Sequence, residues 1–376
     1  MKKRLLIATD NLLPWVDGVS SFLNEIIPKL SENYKIVVVA PRFEGEFSGY
    51  RGVEIIRFPL LGIKFGGYSP ARPSYRKIRE AVKNCDIVFS QSIGPVCSAT
   101  MVNAYKQKKP IVAYIHAIEW ELFTKAVSLN KRAKSFVYRL TKAVAKRLYN
   151  KCDFILVPSL ETAELMRSIG IHTKMKVVHL GTDTHRFRPP ANKGEAKKAI
   201  GFSPEDQIVG YCGRISREKN LITLYRAFAM LTKKRAGLKL LIVGDGPANL
   251  KSFLTGRQGI VISGIKGDVV PYLQAMDVYA LASLTETTSL STLEAMACGV
   301  PPICTPVGYI KAYIKGGFNG YTFPKGDWYA LARIIDRLLS DKSLRERIGV
   351  NARETVVKRF SWDQTLKGIM EVLGVY

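Results

Sequence analysis

Short apolar runs alternate with longer stretches whose apolar positions recur every three or four residues, and the alternation holds along nearly the whole chain. In the first half the runs 5–9, 35–40, 53–58, 86–90, 111–115, 154–158 and 176–179 predict strands, and the stretches 19–31, 73–83, 96–107, 132–150 and 160–168 predict helices. Strand followed by helix, repeated, is the pattern of a parallel doubly wound sheet. The second half repeats it, with strands predicted at 208–212, 238–243, 260–262, 278–281 and 302–304 and helices at 327–339, 343–358 and 362–373. The fold class expected is therefore α/β, with two Rossmann-like doubly wound domains in series. The segment 180–190 has neither periodicity but holds a glycine and two prolines, which marks a linker. The boundaries expected are 1–184, 185–360 and a separate last helix, 361–376, with Leu366, Ile369, Met370 and Leu373 on one face.

A chain of 376 residues with 47% hydrophobic content can bury two cores of ordinary size. No apolar run reaches spanning length, and the start, Met1-Lys2-Lys3-Arg4 with Asp10 close behind, is too short for a signal peptide. A cytosolic protein is expected. The six cysteines form no C-x-x-C pair and the four histidines no H-x-x-x-H pair, so no metal is predicted and the thiols are expected to be buried and reduced. The formal charge of +26 stands apart from this ordinary picture. It favours a polyanionic partner, either nucleic acid or an anionic membrane face, and since both halves are positive it does not locate the contact.

Ligands of open α/β sheets bind beyond the carboxyl ends of the strands, so the segments that follow predicted strands carry the chemistry. The most informative is the run 283–307, SLTETTSLSTLEAMACGVPPICTPV, which places Glu286 and Glu294 across a polar loop and the start of a helix. Backbone N–H groups around Thr288, Ser289, Leu290 and Thr292 would point at a diphosphate, Glu294 would take ribose hydroxyls, and Glu286 would reach what lies beyond the phosphates. The competing reading makes Ser291-x-x-Glu294 a capping box, in which the glutamate only satisfies a helix N-terminus. Arg214 and Lys219 follow another strand and can converge on a diphosphate, or be two solvated cations of a basic protein. Gly244-x-Gly246-Pro247 is read first as a turn that needs glycine whatever binds. His116, at the end of the run 111–115, is either a structural histidine or a group that donates to a sugar hydroxyl or moves a proton. Gly18 either lets backbone amides approach a ligand or is a plain helix-entry glycine.

Together GRISREKN, the GDGP turn, the Glu286/Glu294 pair followed by EAMACGVPPICTPVG, and FNGYTF resemble the retaining GT-B glycosyltransferases of family 4, over nearly the whole chain. The resemblance implies two sheets facing across a cleft, a nucleotide-binding C-terminal domain, and a last helix that crosses back to the first domain. It implies that Arg214 and Lys219 hold the diphosphate with amides at Thr288, Ser289 and Leu290, that Glu294 holds the ribose, and that Glu286 meets donor-sugar hydroxyls. His116 would lie near the sugar on the acceptor side, and Gly18 in a loop closing over the phosphates. Where Ser289 stands the family usually has glycine.

DGVSSF, the aromatic segment after His116 and the wording around Glu286 look most like diacylglycerol glucosyltransferases and phosphatidylinositol mannosyltransferases, which implies a lipid acceptor at the cytoplasmic membrane face. The residues 131–151 carry eight Lys/Arg and no acid, with Phe136, Leu140, Val144 and Leu148 recurring every four positions. Part of that strip is expected to pack on the sheet, as in an ordinary domain helix. The loop 60–70, LLGIKFGGYSP, can dip into lipid or be plain surface. The expectation is a retaining, metal-independent transfer of a hexose from a UDP-glucose or GDP-mannose type donor, a co-substrate with no further cofactor, to a hydroxyl, with an anionic membrane surface as partner and no nucleic acid. A soluble glycan- or small-molecule-directed transferase, a sugar-nucleotide epimerase and a nucleic-acid-binding protein are the rivals.

Overall fold

A computed structural model describes residues 2–63, 69–126, 131–286 and 288–376. It divides the chain into two compact units, Met1–His179 with Asp363–Tyr376, and Leu180–Trp362. The first contains β1 (Arg4–Ala8), α1 (Gly18–Ser31), β2 (Lys35–Pro41), β3 (Glu54–Phe58), α2 (Tyr75–Lys83), β4 (Ile87–Ser90), α3 (Pro95–Lys106), β5 (Ile111–Tyr114), α4 (Glu119–Ala126), α5 (Lys131–Tyr149), β6 (Phe154–Val157), α6 (Leu160–Ser168) and β7 (Lys174–Val177). Its strands form one parallel sheet of order β3-β2-β1-β4-β5-β6-β7. The central strands read as continuous apolar runs because both faces are covered: Leu5, Leu6, Ile7 and Ala8 are all fully buried.

The second unit contains α7 (Lys193–Ala199), β8 (Gln207–Cys212), α8 (Leu221–Leu231), β9 (Leu238–Val243), α9 (Ala248–Lys251), β10 (Ile260–Gly264), α10 (Val270–Ala275), β11 (Val278–Leu281), α11 (Leu290–Ala297), β12 (Pro302–Cys304), α12 (Ile310–Tyr313), β13 (Tyr321–Thr322), α13 (Trp328–Ser340) and α14 (Lys342–Arg359). Its sheet is also parallel, in the order β10-β9-β8-β11-β12-β13. Lys197 and Asp277 form a buried ion pair at 2.9 Å, and Asp277 also accepts from the Ile208 amide at 2.8 Å, which ties α7 to the start of β8. The last helix, α15 (Trp362–Leu373), packs with the first unit from Asp363 onward. There Thr365 Oγ1 donates to the His179 carbonyl at 2.8 Å, and a Cβ on Gly368 would stand 2.9 Å from Val178.

In each sheet the strand order reverses once, between β1 and β4 and between β8 and β11. At such a switch the connections leave to opposite sides and open a crevice beyond the carboxyl ends of the two strands. The six cysteines are free and buried, and among the described residues no group of three His, Cys, Asp or Glu gathers to hold a metal. No helix of the described residues is long and apolar enough to cross a membrane.

One buried acid gives the first unit a pH-dependent stability. Glu119 opens α4 and accepts a hydrogen bond from the Tyr149 hydroxyl at the end of α5, while burial pushes its carboxyl up to about 7. A carboxyl whose folded pKa lies above its unfolded value stabilises the fold below the unfolded pKa, and that contribution fades as pH rises through the folded one. Between about pH 4.5 and 7 the loss is roughly 3 kcal/mol. Glu119→Gln should flatten the dependence of urea-unfolding free energy on pH across this window; an unchanged slope would place the titration elsewhere.

Candidate functional site

At the switch of the second sheet, the loops that leave β8 and β11 are laced together. The Leu284 amide donates to the Glu218 carbonyl at 2.8 Å, and Asn220, in the left-handed region at φ 51°, sends its side-chain amide to the Ala282 carbonyl at 3.4 Å. This brings Lys219 and Glu286 into an ion pair at 2.5 Å, with side chains only 19% and 10% exposed. Glu286 Oε1 also accepts from Ser283 Oγ at 2.7 Å. Arg214 stands differently: its side chain is 67% exposed, and its ion pair to Glu218 is a loose 3.8 Å. The structure therefore joins Lys219 to Glu286 directly and leaves the Arg214 guanidinium at the surface of the same loop.

The helix after β11 starts earlier than a box at Ser291 would need. Its cap is Ser289, whose hydroxyl accepts from the Thr292 amide at 3.3 Å, so the capping-box reading of Ser291 and Glu294 is corrected. Glu294 sits one turn inside α11, partly exposed, and its charge adds to the burial that pushes the Cys212 thiol, at the end of β8, up to about 12. Serine serves at 289 because φ there is −85°, ordinary for any residue, and because a hydroxyl can cap the helix. The first-turn amides of Leu290 and Ser291 lie beyond the reach of the helix's own carbonyls. The Thr288 hydroxyl is buried without a partner among the described residues.

The two glycines of the GDGP turn have a packing role. A Cβ at Gly244 would lie 2.0 Å from the Gly213 carbonyl oxygen, and one at Gly246 would lie 2.0 Å from that of Ile215. The turn after β9 thus lies flat against the GRIS segment after β8, held by the Ile215 amide donating to the Asp245 carbonyl at 2.9 Å.

In the first unit, Asp17 caps α1, accepting from the Val19 and Ser20 amides at 3.0 and 2.9 Å. Two amides of that turn are thereby spent, and what Gly18 offers a ligand is its own backbone, with open space where a Cβ would stand. His116 follows β5, its Nε2 2.9 Å from Gln91 Oε1, and burial lowers its pKa to about 3, so the imidazole is neutral at physiological pH. Sequence reasoning missed Gln91 and the role of Asp10, a buried carboxylate at the end of β1. Asp10 accepts from the Val96 amide and Ser92 hydroxyl at 2.9 and 2.8 Å and leaves no room for a side chain at Gly94. A polar residue directly after each of two adjacent apolar strands was the available signal.

The strip on α5 packs only in part, as expected, with Leu148 buried. Phe136, Leu140 and Val144 are 67%, 53% and 40% exposed, and among the helix's described side chains only Ala145, Leu148 and Tyr149 are buried. The loop after β3 has Leu61 and Ile63 exposed, and its residues 64–68 lie outside those described.

Two sequence families match: Glycosyltransferase Family 4 over residues 16–186 and Glycosyl transferases group 1 over residues 192–355. The N-acetyl-alpha-D-glucosaminyl L-malate synthase of Bacillus anthracis is 34% identical over 287 residues, which cover 74% of this chain and 71% of that enzyme. The alpha-monoglucosyldiacylglycerol synthase of Streptococcus pneumoniae is 23% identical over 361 residues, covering 91% and 80%. Among solved structures, Alr3699/HepE of Anabaena in complex with UDP and glucose superposes with a TM-score of 0.81 at 19% identity, covering 100% of both chains.

Proposed function

Since the chain belongs to the family 4, group 1 glycosyltransferases, with the GT-B fold, we propose that it is a retaining, metal-independent hexosyltransferase. It moves a hexose from a nucleotide diphosphate sugar of the UDP-glucose or GDP-mannose type to a hydroxyl of a membrane-lipid head group. The observation that carries this reading is the Lys219–Glu286 pair at 2.5 Å, set at the strand-order reversal of the second sheet beside the N-terminus of α11.

The departing nucleotide diphosphate gathers negative charge in the transition state. Lys219, the exposed Arg214 and the backbone amides of Thr288, Ser289 and Leu290 are the groups assigned to meet it. Glu294 takes the ribose. Glu286, once Lys219 turns to phosphate, is left to accept from donor-sugar hydroxyls, and His116 is assigned to a sugar hydroxyl. No carboxylate is assigned as a covalent nucleophile, so displacement on the same face fits better than a two-carboxylate route.

For the acceptor the support is α5. Three apolar side chains at four-residue spacing stand in water, flanked by Arg132, Lys134, Arg139, Lys142, Lys146 and Arg147. Each large apolar side chain gains roughly 1.5–3 kcal/mol when fully buried, and each cation about 1 kcal/mol near an anionic surface. An anionic bilayer is the occupant that matches both. Sedimentation with anionic vesicles should therefore weaken with salt, and Phe136→Glu with Leu140→Glu should lower vesicle binding at least about tenfold with the unfolding midpoint unchanged. Equal binding by the variant would refute the docking face.

The activity test supplies UDP-glucose or GDP-mannose, with EDTA, to vesicles holding diacylglycerol or phosphatidylinositol. The expected result is a glycolipid whose anomeric configuration matches the donor's. An inverted product, or suppression by EDTA, overturns the mechanism. Transfer only to a free small acceptor overturns the lipid assignment and keeps the transferase; the relative named for L-malate makes that compound the control.

A further inference from the structure

β4 and β5 are neighbours, paired from Val88↔Ile111 to Ser90↔Ala113, so the residues just beyond their ends emerge together. One is Gln91, fully buried, its own amide donating to the Ala8 carbonyl at 2.9 Å. The other is His116, anchored through the Ile115 amide to the Leu156 carbonyl at 2.9 Å. The imidazole lies between two rings, stacked on Tyr114 at 4.6 Å and edge-on to Phe22 at 4.7 Å. These contacts fix the plane of the ring. They do not decide which of its nitrogens carries the hydrogen.

Gln91 does. Its Oε1, 2.9 Å from His116 Nε2, is a carbonyl oxygen and can only accept, so Nε2 must be the protonated nitrogen and Nδ1 the bare one. Among the described residues Nδ1 has no partner. Among the described residues the titratable side chain stacked on the ring is Tyr114, and its hydroxyl is engaged, donating to the Val178 carbonyl at 2.6 Å. No charged side chain contributes to the lowered pKa of His116, which burial alone explains. Among the described residues the side-chain amide nitrogen of Gln91 is buried without a partner. Such a group costs about 1–3 kcal/mol, which leucine at the same position would avoid. A residue kept purely for stability would not carry that penalty.

We propose that Gln91 is a positioning residue that locks His116 in the tautomer protonated at Nε2, so that the ring presents Nδ1 as a hydrogen-bond acceptor to a sugar hydroxyl. The proposal rests on the reading of His116 as sugar-facing and narrows it. The imidazole accepts; it does not donate. It orients the hydroxyl by accepting its hydrogen bond, which turns the hydroxyl oxygen's lone pairs away from the ring.

Nitrogen-15 NMR of histidine-labelled protein tests the lock without any turnover, with His116→Ala identifying the His116 signals among the four histidines. The wild type should show His116 as one neutral tautomer with the hydrogen on Nε2. Gln91→Leu should fold with an unchanged or higher midpoint, show both tautomers, and lower kcat more than it raises KM. Gln91→Glu puts a carboxylate beside Nε2 and should hold His116 as imidazolium into the neutral range, with kcat depressed there and recovering as pH rises. Hydrogen on Nδ1 in the wild type, meaning that the amide faces the other way, overturns the proposal. So do identical tautomers in wild type and Gln91→Leu. Near-normal turnover in His116→Ala would instead sink the sugar-facing role, and the spectra would still decide whether Gln91 sets the tautomer.

Discussion

Lys219→Ala should lower kcat by about 10²–10³-fold or more, the usual effect of removing a preorganised group that meets developing charge. Turnover alone does not separate this from a structural ion pair, because the substitution also strands Glu286, whose side chain is 10% exposed. A stranded buried charge destabilises by about 3–5 kcal/mol, whereas replacing both partners with apolar groups is often neutral. The double variant Lys219→Met with Glu286→Leu separates the cases. If the pair serves chemistry, the double variant recovers the urea midpoint that Lys219→Ala loses and stays inactive. Recovery of both stability and turnover would reduce the pair to a structural clip. Glu286→Gln keeps the shape and a carbonyl acceptor for Lys219 and Ser283 but not the charge, and is expected to depress kcat while lowering the midpoint less than Lys219→Ala does.

Gly244→Ala should cost at least about 3 kcal/mol. The added methyl would stand 2.0 Å from the Gly213 carbonyl, at a residue with φ of 139°. Neither problem can be relieved by a side chain turning aside, since the neighbour is backbone and the conformation is one that L-residues avoid. The segment that would have to move carries Arg214 on the way to Lys219, so the melting-point rise on adding UDP or GDP should vanish along with the stability. Gly18→Ala makes the contrast: nothing lies within 4 Å of the added carbon. Its midpoint should hold, and a raised KM for the donor would be the mark of a ligand approaching that backbone. A Gly244→Ala midpoint within about 0.5 kcal/mol of wild type would contradict the close packing of the two turns.

The strands and helices that the hydrophobic pattern predicted are largely those found, because a parallel sheet covered on both faces writes itself as unbroken apolar runs. The pattern failed where that condition lapses. β7, predicted at 176–179, lies at Lys174–Val177, an edge strand only partly buried with lysines at alternate positions. β13 is two residues long and has no periodicity to read. α4 went unread because Glu119 and Trp120 are both buried at its start, which gives a charged and an apolar residue the same environment. Of the candidate site, the residue types were legible and their partners were not. Lys219 and Glu286 each stood out after its own strand, but their contact depends on β8 and β11 being neighbours, a property of strand order. The apolar strip on α5 was legible as a face flanked by cations, but how much of it stays bare was not, since periodicity defines a face and cannot say what covers it.

The placement of α15 bears on how the chain is made. Synthesis delivers the whole of Leu180–Trp362 before the Asp363–Tyr376 segment that packs with Met1–His179. The later unit is contiguous and can close as soon as it leaves the ribosome, while the earlier one waits with its Val178–His179 surface uncovered until Asp363–Tyr376 has been made. Of these two units the one begun first is thus the one finished second, and a nascent chain stalled before Asp363 would expose to chaperones a patch that α15 otherwise covers.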